Sequence, residues 1–175
     1  STGEAACIGE NFADALLKAL QSAEFNLPRS SPSALITVGG KEMKRKIVPL
    51  ARSLKELGFK LYATEHTADA LRSANLDVTV LYKVREVMKK PNILDYLVQR
   101  KIDLVINVPA ANPENVDIME DEYIIRRLAV EFNIPIVTTF ELASAIVKAL
   151  KYYGKNEVTV RSLNEYISSL PFRYW

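Results

Sequence analysis

From Ala34 onward the chain alternates short apolar runs with stretches of helical period, and this alternation constrains the fold more than any single residue. The runs are ALITV (34–38), KLYA (60–63), DVTVLY (77–82), DLVINV (103–108) and PIVTT (135–139). Between them lie periodic segments at Glu42–Leu57, Thr67–Ser73, Asn92–Arg100, Met119–Phe132 and Phe140–Tyr152. Runs that are apolar on both faces and rich in Val and Ile read as buried parallel strands. Their alternation with helices predicts βαβ units joined by right-handed crossovers. The expected fold is therefore α/β: a three-layer α/β/α sandwich around five parallel strands. Gly58 and Asn75 fall where helix C-terminal caps belong. A last helix, Leu163–Leu170, is expected to pack on the outside.

The chain before Ala34 reads differently. Phe12, Leu16, Leu17 and Leu20 recur at helical spacing, with Asn11 placed to cap that helix. Pro28-Arg29-Ser30-Ser31-Pro32-Ser33 reads as a linker. The expected division is a tail of a preceding domain at 1–28, a linker at 29–33, and the main domain at 34–175. The apolar residues of the tail, Ile8, Phe12, Leu16 and Leu17, are expected to dock on the main domain or on a neighbouring molecule.

With 175 residues, 49% of them apolar and 25% charged, the chain has the composition of a globular protein. Its core is large enough to need no disulfide or metal. A single cysteine, Cys7, and a single histidine, His66, exclude a disulfide framework, a Cys₄ or Cys₂His₂ zinc site and a His–His metal pair. No apolar run is long enough to span a membrane. A net charge of +2 makes no case for nucleic acid. The charge is uneven, however. Residues 41–60 carry seven bases and two acids. Such a run is either a solvated helix face or an anion site.

Open parallel sheets bind ligands beyond the carboxyl ends of their strands. After the first run stand Gly39, Gly40, Lys41 and Glu42, with Lys44 in the first helical turn; after the second, Thr64-Glu65-His66-Thr67; after the third, Lys83; at the end of the fourth, Asn107. Glycines permit close backbone approach, and a helix N-terminus favours an anion. Thr67 reads as the N-cap of its helix, and both threonine hydroxyls suit a phosphate oxygen. Taken singly, each residue has an ordinary structural reading: a cap, a surface lysine, a strand-end amide. Their convergence on one sheet edge is what points to an anion. Glu120, Asp121 and Glu122 read as acids complementing the start of the Met119–Phe132 helix, with one of them in reach of a ribose diol. The loop after the first run lacks G-x-G-x-x-G and G-x-x-x-x-G-K-[ST], and no serine sits in G-x-S-x-G.

The segments STGEAACIGENFADALLKAL, LITVGGKEMKRKIVPLA, GFKLYATEHTA, DLVINVP, YIIRRLAV and IPIVTTFELA carry a resemblance that extends to about Leu150. The first resembles the end of the second ATP-grasp half of carbamoyl phosphate synthase large subunits. The others resemble their C-terminal allosteric domain, of the methylglyoxal-synthase-like fold. The resemblance implies a sheet order of 3-2-1-4-5 and an effector site holding the phosphate of UMP or IMP. By position, it assigns that phosphate to Lys44, Thr64, Thr67, Lys83 and Asn107, with Thr37 lower in the site and Asp121 near the ribose. It implies a regulatory domain without catalysis of its own. The parent enzyme would make carbamoyl phosphate from bicarbonate, glutamine and ATP with Mg or Mn, for pyrimidine and arginine biosynthesis in the cytoplasm. Its partners would be the rest of the large subunit, a glutaminase small subunit and, compatibly, further copies of itself; neither nucleic acid nor membrane is expected.

Some positions depart from the family pattern. Pro109 replaces a threonine, and Ala110-Ala111-Asn112-Pro113 stands where some bacterial members carry Gly-Arg-Arg. Of an ornithine pocket found in some members Thr138 is kept, but Ile136 replaces a tyrosine. The alternatives are a methylglyoxal synthase acting on dihydroxyacetone phosphate, a module responding to N-acetylglutamate or ornithine, and an oligomerisation module. The lyase needs a carboxylate base in a Gly-Gly-Asp segment. Here Glu86 is the only nearby acid, and it lacks the glycines.

Overall fold

The computed structural model describes residues 4–27, 30–110, 116–153 and 160–169, with the side chains at 116–119 and 153 excepted. The elements run α1 (Phe12–Ser22), β1 (Ser33–Val38), α2 (Lys41–Glu56), β2 (Lys60–Ala63), α3 (Glu65–Ser73), β3 (Thr79–Val80), α4 (Ile93–Val98), β4 (Leu104–Val108), α5 (Val116–Glu131), β5 (Ile136–Val137), α6 (Phe140–Tyr153) and α7 (Leu163–Ser168). The first three residues, Pro28 and Arg29 of the expected linker, Ala111-Asn112-Pro113 and the aromatic C-terminal segment from Leu170 lie outside the described residues.

The five strands pair in parallel in the order 3-2-1-4-5, as expected. β1 is central and buried along its whole length. Its side chains alternate between two cores. Ala34, Ile36 and Val38 join one core with Ile47, Leu50, Ala51 and Leu54 of α2, Ala68 and Leu71 of α3, and Ala143, Ile146 and Val147 of α6. Leu35 joins the other, with Ile93 and Leu97 of α4 and Ile125 and Ala129 of α5. The chain winds outward from β1 to β3, then returns to β4 and winds outward the other way. Right-handed crossovers then place α2 and α3 on one face and α4 and α5 on the other. The reversal lies between β1 and β4, where the register sets Thr37 opposite Asn107.

Helix ends follow the expected caps. Gly58 has φ 88° and Asn75 has φ 58°. Past α2, Phe59 N–H donates to Leu54 O; past α3, Leu76 N–H donates to Leu71 O. Both closures need a left-handed residue at the turn.

The edge strands are shorter than their apolar runs. β3 keeps only Thr79–Val80 of the run 77–82, and β5 only Ile136–Val137. Each pairs with one neighbouring strand only; past the end of β3, Leu81 is buried and its N–H still donates to Ala63 O at 2.9 Å. α5 begins at Val116, so Glu120, Asp121 and Glu122 lie more than a turn inside it rather than at its start. α3 begins at Glu65, which makes Thr64 the N-cap; Thr67, expected to cap, is instead the third residue of the helix.

α1 is capped by Asn11, whose side chain accepts from Asp14 N–H at 3.1 Å. It packs on α6, with Leu17 buried and Leu16 and Leu20 partly buried against the same core. Ile8 and Phe12 stay exposed. α7 lies outside α1, tied to it where Lys18 Nζ donates to Tyr166 Oη at 2.7 Å.

Candidate functional site

A cavity of about 420 Å³ opens at the carboxyl ends of β1 and β2. It is lined by Thr37 and Val38 of β1, Gly39 and Gly40, Lys41 and Lys44 of α2, Thr64, His66 and Thr67, Lys83, Ala110, and Asp121, Glu122 and Ile125 of α5. Six of the seven residues expected to hold the effector thus share one wall. The seventh, Asn107, is fully buried, and its Oδ1 accepts from Arg126 Nη1 at 2.9 Å. Its Nδ2 has no hydrogen-bond partner among the described residues.

The glycines are required by the backbone. A Cβ on Gly39 would lie 2.4 Å from the amide nitrogen of Ala110, so only glycine lets the loops after β1 and β4 approach this closely. Gly40 has φ 76° and ψ 151°, a region that L side chains avoid. As the N-cap of α2 it offers no side-chain hydrogen bond. Thr64 caps α3 and also makes no side-chain cap bond. Two helix N-termini therefore meet one cavity with their first-turn N–H groups uncapped by side chains.

Thr64 Oγ1 donates instead to Thr67 Oγ1, and Val38 N–H donates to the same oxygen, both at 3.3 Å. With both acceptor positions of Thr67 engaged, its remaining hydrogen-bonding capacity is its own O–H donor.

Lys83 is positioned by its backbone. Its carbonyl accepts from Asn92 Nδ2 at 2.7 Å, and its N–H donates to Glu86 Oε2 at 3.3 Å. Asn92 is almost fully buried and also caps α4. The sequence reading placed Asn92 only at a helix start; its hold on the Lys83 loop depends on the fold. Lys83 Nζ lies 3.3 Å from Asp121, and Arg85 pairs with Glu120 and, at 3.7 Å, with Asp121. Glu86 binds Lys89 at 2.6 Å and is not among the residues lining the cavity.

Glu122 is the residue of this site whose burial the sequence did not reveal. It is 7% exposed and, among the described residues, makes no hydrogen bond or ion pair. Burial pushes its carboxyl above the usual carboxylate range and the neighbouring Asp121 charge adds to this; Arg126 and Lys83 act in the opposite sense. A carboxyl whose folded pKa is raised stabilises the fold when protonated and loses that contribution as pH rises through the raised value. Glu122→Gln should therefore melt close to wild type near pH 4 and progressively above it as pH rises through the raised range. Thermal melts across pH check this; a difference that does not change with pH would contradict it.

A family profile described as an MGS-like domain matches residues 46–138, more than half of the chain. The chain is 40% identical over 169 residues to the carbamoyl phosphate synthase large chain of Methanobrevibacter smithii, covering 95% of this chain and 15% of that one. It is 40% identical over 165 residues to the C-terminal section of the same large chain in Methanopyrus kandleri, covering 94% of this chain and 29% of that one. The chain thus spans less than a third of the length of these relatives. Among solved structures, the methylglyoxal synthase of Elizabethkingia anophelis matches 69% of this chain and 79% of its own, with a TM-score of 0.52 at 21% identity, a likeness of fold. No helix among the described residues is long and apolar enough to cross a membrane. Parallel sheet, strand order and family profile agree: the chain belongs to the MGS-like domain family and is similar over nearly its whole length to the C-terminal part of carbamoyl phosphate synthase large chains.

Proposed function

We propose that this domain is the effector-binding regulatory module of a carbamoyl phosphate synthase large chain, and that its cavity takes a nucleoside monophosphate, UMP in preference to IMP. The observation that carries the reading is the meeting of two helix N-termini without side-chain caps with Lys44 and Lys83 around one cavity. A phosphate monoester brings close to two negative charges and three acceptor oxygens to that point. Thr67 O–H and the Asn107 amide supply further donors. N-acetylglutamate spreads its charge over two separated carboxylates and suits the cluster less well. The preference for UMP rests on feedback by the pathway's own end product.

The catalytic steps, the bound ATP with Mg or Mn, the glutaminase partner and the cytoplasmic setting belong in this reading to the rest of the synthase. α2 begins at the cavity and packs on α6, and α6 packs on α1. α1, read as the tail of the preceding half, then offers a contiguous packed route for a coupling free energy of about 1–3 kcal/mol.

Calorimetric titration with UMP, IMP, uridine, ornithine and N-acetylglutamate tests the reading. UMP should bind most tightly and uridine weakly. Tighter binding of N-acetylglutamate or ornithine, or turnover of dihydroxyacetone phosphate to methylglyoxal, would overturn it.

A further inference from the structure

α7 has little of its own to hold it on the fold. It has no buried residue, and Leu163 and Ile167 are at least half exposed. Two polar ties set it beside α1: Arg161, just before α7, pairs with Glu10, and Tyr166 Oη accepts from Lys18 Nζ. Glu10 precedes Lys18 as Arg161 precedes Tyr166, so α7 runs alongside α1 in the same direction. A helix this short is marginal on its own hydrogen bonds and needs tertiary packing to persist.

Beyond Ser169, the C-cap of α7, the chain reads Leu170-Pro171-Phe172-Arg173-Tyr174-Trp175. Proline does not continue a helix, and it biases the residue before it toward extended backbone. Six extended residues reach about 20 Å. In the direction in which α7 runs, about one turn past Lys18 on α1, Gln21 stands at the edge of another cavity, of about 130 Å³. Its walls are apolar: Leu17 and Leu20 of α1, Phe25 and Leu27 after it, and Ile146 and Leu150 of α6. Gln21 and Asn26, both exposed, form the rim. An apolar floor with a polar rim is the anatomy of a docking site, and a space of this size takes one benzene-sized ring. We propose that residues 170–175 run along the end of α1 and seat Phe172 in this cavity. Phe172 suits the floor better than Tyr174 or Trp175, whose O–H and N–H need partners when buried. The amides of Gln21 and Asn26 supply such partners at the rim. The seated ring joins α1, the turn after it and α6 in one apolar contact, and it anchors α7. This holds whatever the cavity at the strand ends binds.

Methyl NMR of the full chain, with isoleucine and leucine methyls labelled, tests the proposal. The Phe172 ring should give nuclear Overhauser contacts to the methyls of Leu20 and Ile146, unchanged on tenfold dilution. Phe172→Ala should shift those methyls and leave Leu71 and Leu97, in the two cores, where they are. Leu20→Phe fills the cavity from α1 and should release the segment. Trp175 is the only tryptophan, so its quenching by acrylamide reports that release. Quenching should rise at least twofold, to the level of a free peptide of residues 169–175. Phe172→Ala changes only the segment itself, so it carries the test should urea melts show that Leu20→Phe does not fold. Absence of the contacts in wild type, or methyls unmoved by Phe172→Ala, would overturn the proposal. Contacts that fade on dilution would place the ring in a second copy of the chain and overturn its seating within one.

Discussion

Replacing Lys83 by alanine should weaken UMP binding by about 1.5–3 kcal/mol, roughly ten- to 150-fold, the weight of a charge-assisted hydrogen bond. The backbone at this position is held by Asn92 and Glu86 independently of the side chain, so the substitution removes the ammonium and leaves the loop in place. Without ligand, Lys83 and Asp121 form a partly exposed pair, which is worth about 0–1 kcal/mol. Asp121 keeps Arg85 when Lys83 is truncated, so the melting temperature should move little. The ligand loses more than the fold does. A phosphate arriving at the variant would lack one cation and face Asp121 with that carboxylate's nearer partner gone. Lys46→Ala is the matched control. Lys46 belongs to the same basic run, but it pairs with Glu42 on the exposed face of α2 and is not among the lining residues. Calorimetry should show a change of less than twofold there, and weak uridine binding in every variant. UMP affinity within about twofold of wild type for Lys83→Ala would refute the phosphate assignment.

That pair also shows what the sequence could not reveal. Two lysines converging on one anion leave an unfavourable cluster when the site is empty. The fold relieves it by bringing Asp121, from α5, to Lys83. Nothing in the local sequence around either residue marks that contact; it exists because the loop after β3 brings Lys83 to the first turns of α5. The same holds for Glu122. Read along the chain, Glu120-Asp121-Glu122 is an acidic helix start; only the beginning of α5 at Val116 moves it inside the helix and against the cavity.

What was legible was set by strong and redundant patterns. β1 and β4 are buried on both faces, and their short, Val- and Ile-rich runs between helical stretches read as buried strands. Gly58 and Asn75 punctuate helices by backbone conformation alone. An apolar run reports burial and not pairing, so the runs at 77–82 and 135–139 extend beyond the paired residues of the edge strands. Thr64 and Thr67 give the same local cap signal, and the choice of Thr64 is made by where β2 ends, at Ala63.

Thr67 joins the fold to the site, and Thr67→Val should damage both. Valine has nearly the same shape, so the change removes the hydroxyl without opening a cavity. The Val38 N–H, at the buried end of β1 past its last pairing with β2, then loses the acceptor it has at 3.3 Å. An unpaired buried N–H costs about 1–3 kcal/mol. The Thr64 hydroxyl loses its acceptor as well, but its partial exposure lets water replace it. The variant should unfold at lower urea with an unchanged slope. UMP affinity should fall along with stability, because the O–H that Thr67 can direct at a phosphate oxygen is gone. Thr67→Ser separates shape from chemistry: it keeps the hydroxyl and gives up a methyl group. It should recover most of the UMP affinity, and its remaining loss of stability should reflect that methyl alone. If Thr67→Val binds UMP as wild type does, the hydroxyl serves only the end of β1, and the phosphate contacts must be assigned to the two helix N-termini and the lysines without it.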